Sequence, residues 1–161
     1  MQARQFVRLG LALIALGACA AGRASVDTSP GPGGVYRLKP GIYVARGSSC
    51  EAPANAAIRQ YDGKGIATPH SRACKAVVRT HKGNRYTVDQ SCIDAGAGPG
   101  KRWTERQRVT VRDALSFEQT IGGSVRSYRY CPTYQLPRGL RKGALAPALS
   151  VRAAPDRPRP P

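Results

Sequence analysis

The chain has 161 residues, of which 26 are Lys or Arg and nine are Asp or Glu, giving a formal net charge of +17. Its longest apolar run, Leu9 to Ala18, is about half as long as a transmembrane helix requires, so the sequence predicts no helical membrane span. A charge this positive favours anionic partners, such as phosphates, acidic polysaccharides, nucleic acid or an acidic protein.

The first 24 residues have the layout of a bacterial secretory signal. Arg4 and Arg8 precede the apolar run, and small residues follow it. We therefore predict that residues 1–24 are a signal peptide and that the protein is exported, to the periplasm or outer membrane or into the medium. Ala18-Cys19-Ala20 supplies the small residues of an ordinary cleavage site. Leu16-Gly17-Ala18-Cys19 also resembles the bacterial lipobox, and this resemblance implies a lipid on Cys19.

The remaining chain divides into a linker, one domain and a tail. Residues 25–34 are rich in Pro and Gly and carry few apolar side chains, which predicts a linker. Residues 35–137 are predicted to form one compact domain. Residues 138–161 are rich in Arg and Pro and are predicted to be a disordered basic tail. Between residues 24 and 134 the chain has 17 basic and eight acidic side chains, so the predicted domain is itself basic.

Cysteine usage agrees with export. Removal of the signal region would leave four cysteines, Cys50, Cys74, Cys92 and Cys131. An even number in an oxidising compartment predicts two disulfides. The gaps of 24, 18 and 39 residues are too long for paired metal ligands, so neither a metal nor another cofactor is predicted. A predicted hairpin at residues 62–65 lies between the first two cysteines, and one at residues 82–84 lies equally well between Cys74 and Cys92. We favour Cys50–Cys74 with Cys92–Cys131 among the three connectivities.

Short runs rich in Val, Ile, Tyr and Thr, separated by turns that mostly contain glycine, predict β-strands almost throughout the domain. Because one hairpin follows another, the simplest topology is an antiparallel meander, and so many strands must curl or close to cover an apolar face. We predict an all-β fold, a small antiparallel meander that closes into a barrel or a strongly curled sheet, with a small β-sandwich as the alternative. The nine predicted strands are 35–38, 41–46, 56–61, 65–68, 73–80, 85–93, 102–112, 115–121 and 125–131.

Four arginines share one face of the strand predicted at residues 102–112, because side chains alternate between the two faces of a strand. Same-face residues lie about 6.6 Å apart, a spacing that suits a repeating anionic polymer, and guanidinium groups fork onto phosphate or carboxylate. The alternative is a solvated face on which Glu118 pairs with one arginine across a hairpin. This face consists of Arg102, Thr104, Arg106, Arg108, Thr110 and Arg112.

Three residues of the last predicted strand form a second basic and aromatic candidate. Arg126, Tyr128 and Tyr130 share one face of that strand. Together with the four arginines of residues 102–112 they are the predicted binding site for an anionic partner. The two groups form one surface only if both strands present them on the same side of the sheet.

Catalytic signatures are weak. The only histidines, His70 and His81, lie beside predicted turns and are interpreted as exposed loop residues. A Ser–His–Asp site could be assembled on paper from Ser71, His70 and Asp89, but no flanking signature of such enzymes accompanies them. We therefore predict no catalytic residue and keep a His-dependent hydrolase only as a third hypothesis.

The order of signal, linker and disulfide-linked β-domain is similar to that of small bacterial envelope proteins, among them periplasmic inhibitors of host lysozymes. This likeness is one of architecture and implies no role for any residue, and basic lysozymes would repel this basic chain. The leading hypothesis is a non-enzymatic exported envelope protein that binds an anionic envelope component, polymer or acidic protein. The alternative is a periplasmic inhibitor or immunity protein against an acidic enzyme or toxin. Export argues against nucleic acid, and contact with a membrane is expected only through a lipid on Cys19.

Overall fold

The structure, a computed structural model, describes residues 25–31 and 33–142. The predicted signal peptide, Cys19 and the part of the predicted tail beyond residue 142 lie outside these residues. The described chain is almost entirely β-structure. Its strands are β1 (Gly41–Ala45), β2 (Ile58–Tyr61), β3 (Ile66–Ala67), β4 (Ser71–Lys82), β5 (Arg85–Asp94), β6 (Arg102–Asp113), β7 (Ser116–Ile121) and β8 (Ser124–Tyr130).

The eight strands form one antiparallel sheet with the spatial order β3-β2-β1-β8-β7-β6-β5-β4. Strands that follow each other in the chain are neighbours everywhere except between β3 and β4, and β8 returns to pair with β1. This is the order of an up-and-down barrel interrupted by one seam. The predicted antiparallel meander that closes into a barrel is therefore confirmed, and the sandwich alternative is wrong.

Alternating side chains decide which face of each strand lies inside. In β5 the residues Tyr86, Val88, Gln90 and Cys92 are buried, and the residues between them are more exposed.

The β7–β8 hairpin turns at two glycines, Gly122 and Gly123, whose φ values are 54° and 83°. Two positive φ values in a two-residue turn match the right-handed twist of the flanking strands.

One predicted strand, residues 35–38, is not a strand. These residues follow an irregular path across the upper end of the barrel, the end where the β4–β5 and β6–β7 turns lie. Tyr36 and Leu38 nevertheless enter the core, where they are 1% and 0% exposed. Tyr61 fixes this segment because its hydroxyl accepts from the Tyr36 N–H at 2.9 Å and donates to the Tyr36 carbonyl at 3.0 Å. The apolar pattern of residues 35–38 thus predicted their burial correctly. Hydrogen bonds with the Tyr61 hydroxyl hold the segment in place of the expected strand pairing.

The seam between β3 and β4 has little backbone ladder, since β3 contains two residues. A backbone hydrogen bond crosses it, from the Ala76 N–H to the Lys64 carbonyl at 2.8 Å. Gly65 lies so close to β4 that a Cβ at this position would come within 2.8 Å of the Cys74 carbonyl group. Glycine at position 65 therefore lets the two edges approach.

A second apolar cluster lies outside the barrel, on the outer face of β1. Ile42 and Val44 are covered there by Leu136 and by the partly buried Leu140. Residues 138–142 form one helical turn, in which Arg141 Nε donates to the Leu136 carbonyl at 2.7 Å. This helical turn lies in residues that composition assigns to the tail, and Leu140 packs against the apolar cluster of the domain.

The two disulfides are Cys50–Cys131 and Cys74–Cys92, so the favoured pairing of Cys50–Cys74 with Cys92–Cys131 is wrong. The loop after β1 folds back over the outer face of β1, where Cys131 follows β8, and this places the Cα atoms of Cys50 and Cys131 5.6 Å apart. Cys74 lies at a bulge of β4 and faces Cys92 on the neighbouring strand β5, with 4.1 Å between their Cα atoms. The β1–β8 closure, which no local pattern reveals, decides the pairing.

Candidate anion-binding face

The outer face of β4, β5 and β6 carries nine exposed basic side chains, which we call the basic face. Strand registers align them, for example through the pairs Lys82–Arg85 and Arg85–Thr110. Among residues 25–31 and 33–142, only two carboxylates form ion pairs with them, Asp89 on β5 and Glu118 on β7. The basic face consists of Arg72, Lys75, Arg79, Lys82, Arg85, Arg102, Arg106, Arg108 and Arg112.

Asp89 is held between two arginines of the basic face. Its Oδ1 accepts from Arg106 Nε at 2.8 Å, and its Oδ2 accepts from Arg79 Nε at 2.7 Å. The hydrogen bonds from Arg106 and then Arg79 lower the pKa of the Asp89 carboxyl from 3.8 to about 2. This carboxylate is therefore ionised at neutral pH and fixes the two guanidinium groups in place.

Two other predicted site residues also have partners within the protein. Arg112 donates to both oxygens of Glu118 at 2.8 and 2.9 Å, which is the pairing expected across the hairpin. Arg102 donates to the Ser91 hydroxyl at 3.0 Å. Each of these two guanidinium groups is therefore held by a side chain of a neighbouring strand.

Near the β4–β5 turn, the basic face contains a shallow depression without a free acid. Lys82, Arg85 and Arg108 line it, and none of them takes part in an ion pair among the described residues. Glu118 also lies at its edge, but it is bound to Arg112. The rest of the lining is mostly hydroxyl groups, from Thr80, Thr87, Thr110 and Thr120, with Val125 at one side.

Cations and hydroxyls alternate in this depression for a simple reason. Thr87 on β5 pairs with Arg108 on β6, and Arg108 pairs with Thr120 on β7. Directly paired residues point to the same side of a sheet, so their side chains converge. Guanidinium, ammonium and hydroxyl groups are all donors to phosphate, sulfate or carboxylate oxygens.

The second predicted group, Arg126, Tyr128 and Tyr130, does not join this face. Arg126 pairs with Gln119, which is buried, so this side of β8 faces the barrel interior. Tyr128 is 1% exposed and stacks on Phe117, with 5.1 Å between ring centroids. Tyr130 packs edge-on against Tyr43. β6 and β8 therefore present the two predicted groups on opposite sides of the wall, so the condition for one continuous surface is not met.

The residues considered for catalysis are not brought together. The Ser71 hydroxyl accepts from the Thr68 N–H, whereas Asp89 is occupied by two arginines. His70 is exposed in its turn, and His81 stacks on Tyr86 with 4.2 Å between the ring centroids. Within residues 25–31 and 33–142, no group of three or more His, Cys, Asp or Glu side chains could hold a metal ion.

The sequence pattern missed part of the depression. It placed Arg108 correctly on the outer face, but Lys82 and Arg85 belong to other strands, and only the register brings them beside Arg108. The alternation in residues 85–93 could have indicated that Arg85 lies on the outer face, because it places Arg85 and Thr87 opposite the apolar Tyr86 and Val88.

The fold and this face define a class: a disulfide-linked, eight-stranded meander barrel with a basic outer wall. The chain matches no protein family model, and no curated protein or solved structure is detectably similar to it. Two disulfides are typical of proteins that fold in an oxidising compartment. In the described part of the chain, no helix has the length and apolar character needed to cross a membrane.

Proposed function

We propose that this protein is a non-enzymatic, exported binder of an anionic surface or polymer, and that the basic face is its contact surface. The observation that carries the proposal is the depression in which Lys82, Arg85 and Arg108 have no carboxylate partner in the described part of the chain. Uncompensated cations repel one another, and an anionic ligand would remove this repulsion. The threonine hydroxyls beside them would add neutral hydrogen bonds to the same ligand.

The extent of the basic face favours an extended ligand. Arg102, Arg106, Arg108 and Arg112 lie on one face of β6 at intervals of two or four residues, from one end of the strand to the other. A ligand with repeated phosphate, sulfate or carboxylate groups could contact several of them at once, and multiple weak contacts add in avidity.

Export through a signal peptide in residues 1–24 is part of the proposal. More specifically, we propose that the mature protein is located in the periplasm or, if Cys19 carries a lipid, at a membrane. The intact mass of the mature protein from native membrane and soluble fractions tests this. A mass that fits Cys19 plus acyl chains supports the anchored form, and cleavage near Ala20 without lipid supports the soluble form. An uncleaved chain would overturn export.

The binding test compares two charge reversals in the full chain. The double variant Arg85→Glu, Arg108→Glu changes the depression, whereas a matched variant, Arg37→Glu with Lys101→Glu, makes the same change in charge elsewhere. We expect the first variant to bind heparin and phosphatidylglycerol vesicles at least about tenfold more weakly than the matched variant does. Because the contacts are exposed, binding by the unchanged protein should also fall steeply with salt.

Equal loss of binding in the two variants would overturn the proposed surface, because it would mean that only net charge matters. A saturable complex with an acidic protein, without retention on heparin or vesicles, would replace the proposal by the inhibitor or immunity alternative.

A further inference from the structure

A second cluster of arginines lies on the other side of the barrel wall, where β1 ends and β8 begins. Arg59 projects from β2 toward the interior, and its Nε donates to Gln119 Oε1 on β7 at 2.9 Å. Its guanidinium carbon lies 4.8 Å from the ring centroid of Tyr128 on β8. The Arg59 side chain therefore crosses over β1. The β1 residue paired with Tyr128 is Ala45, whose small side chain leaves room for this crossing.

Arg59 is half-buried, and the described residues give it no carboxylate partner. Its other acceptors are two neutral carbonyls, those of Ile58 at 2.8 Å and Ala56 at 3.3 Å. The Tyr128 ring offsets part of its charge through a cation–π contact. Burial, and then the neighbouring charge of Arg126, lower the pKa of the Arg59 guanidinium.

Two more arginines stand at this end of the barrel. Arg126 lies two residues before Tyr128 on the same side of β8, and Arg46 follows β1. Both line an open depression of about 530 Å³ together with Ala45, Gly47 and Ser127. Neither takes part in an ion pair among the described residues. Arg46 and Arg126 thus share one depression without a counter-charge from the described residues, and Arg59 is bound beside it to Gln119, the residue paired with Arg126.

We propose that this cluster is a site for one compact oxyanion group, the phosphate or carboxylate of a small ligand. Arg126 and Arg46 supply exposed, forked donors, and the half-buried Arg59 adds positive charge beside Arg126, where water screens it less. The site lies at the end of the barrel where β1 ends, away from the β4–β5 turn, and does not depend on the proposed function of the outer basic face. A single group fits it better than a polymer, because Arg46 and Arg126 line one depression instead of following one another along a strand.

Nuclear magnetic resonance of the ¹⁵N-labelled full chain tests the site through the arginine Nε–H signals. Sodium phosphate and sodium acetate are titrated separately against sodium chloride at equal ionic strength, and the two arms distinguish phosphate from carboxylate. We expect a saturable shift of the Arg59 and Arg126 signals with at least one of the two anions. A shift that is the same in chloride would overturn the site.

Two variants assign the shift to this cluster. Arg126→Gln should weaken the anion affinity about tenfold, the usual effect of losing one charge-assisted hydrogen bond, without disturbing the fold, because Arg126 is exposed. Arg37→Gln is the matched control, at an exposed arginine near the opposite end of the barrel, and should leave that affinity unchanged. If Arg126→Gln keeps the full affinity, or if Arg59 Nε does not respond to either anion, Arg59 is only a structural link between Gln119 and Tyr128.

Discussion

Gln90 on β5 forms two hydrogen bonds with the backbone of Ile66 on β3, although β4 lies between the two strands. The Ile66 N–H donates to Gln90 Oε1 at 2.9 Å, and Gln90 Nε2 donates to the Ile66 carbonyl at 2.7 Å. At the position paired with Gln90, β4 presents only Ala76. The side-chain amide of Gln90 therefore supplies hydrogen bonds at the seam, where the two-residue strand β3 forms few backbone hydrogen bonds.

Replacement of Gln90 should destabilise the barrel strongly. Gln90→Met keeps the volume and flexibility of the side chain but leaves two backbone groups of Ile66 unpaired in the core, which should cost about 2–4 kcal/mol. Urea unfolding measures the change. The control is Gln135→Met at a partly exposed position, for which we expect a change below about 0.5 kcal/mol. Equal stability of both variants would show that Gln90 does not close the seam.

The two disulfides should contribute unequally. In the chain-entropy view, Cys50–Cys131 closes 81 residues and should contribute about 4–5 kcal/mol, whereas Cys74–Cys92 closes 18 residues and should contribute about 3 kcal/mol. Unfolding of the two double alanine variants measures this order. Proteolytic mapping without reduction checks the pairing independently, and a peptide joining Cys50 to Cys74 would contradict it.

Stability at low pH should depend on Asp89. Its pKa in the folded protein, about 2, lies below the unfolded value of 3.8, so the ionised form is favoured by folding. The resulting stabilisation is complete above the unfolded pKa and is lost as the pH falls toward the folded pKa. Asp89→Asn should therefore lower the melting temperature at neutral pH, and the difference from the unchanged protein should vanish near pH 2. The control Glu51→Gln removes an exposed carboxylate that takes no part in the ion pairs of the described residues. If the difference in melting temperature between Asp89→Asn and the unchanged protein stayed constant with pH, it would not arise from the ionised Asp89 carboxylate.

The helical turn after residue 137 should matter for stability. Leu140→Ala removes apolar contacts with the cluster over Ile42 and Val44 and should cost about 1–2 kcal/mol. Arg138→Ala, at an exposed position of the same turn, should have little effect. Truncation after Pro137, which composition alone would predict to be harmless, should cost at least as much as Leu140→Ala. Thermal unfolding of the three variants decides whether the domain ends before or after this turn.

Local alternation was enough to predict the faces of the long strands. In β6 the four arginines and the buried Val109 lie on opposite sides, as predicted, because a period of two follows directly from strand geometry. The same rule correctly grouped Arg126 with Tyr128. It could not say which side of β8 is inside, since that depends on how the sheet curls.

Features that depend on how the sheet closes into a barrel could not be predicted from the sequence pattern. The pairing of β1 with β8 brings Cys50 to Cys131, and no residue near either cysteine encodes that contact locally. The seam contacts of Gln90 and the crossing of Arg59 over β1 likewise join residues distant in sequence. For the candidate sites, residue types and exposure were predictable, whereas the grouping of Lys82, Arg85 and Arg108 required the register.

Ala45 and Ala76 limit how this sequence can change during evolution. Each stands on a strand that a long polar side chain crosses, Arg59 over β1 and Gln90 over β4. A branched side chain at either position would fill the space through which the guanidinium or the amide now passes. In related chains with this fold, variation at position 45 should accompany variation at position 59, and position 76 should vary together with position 90.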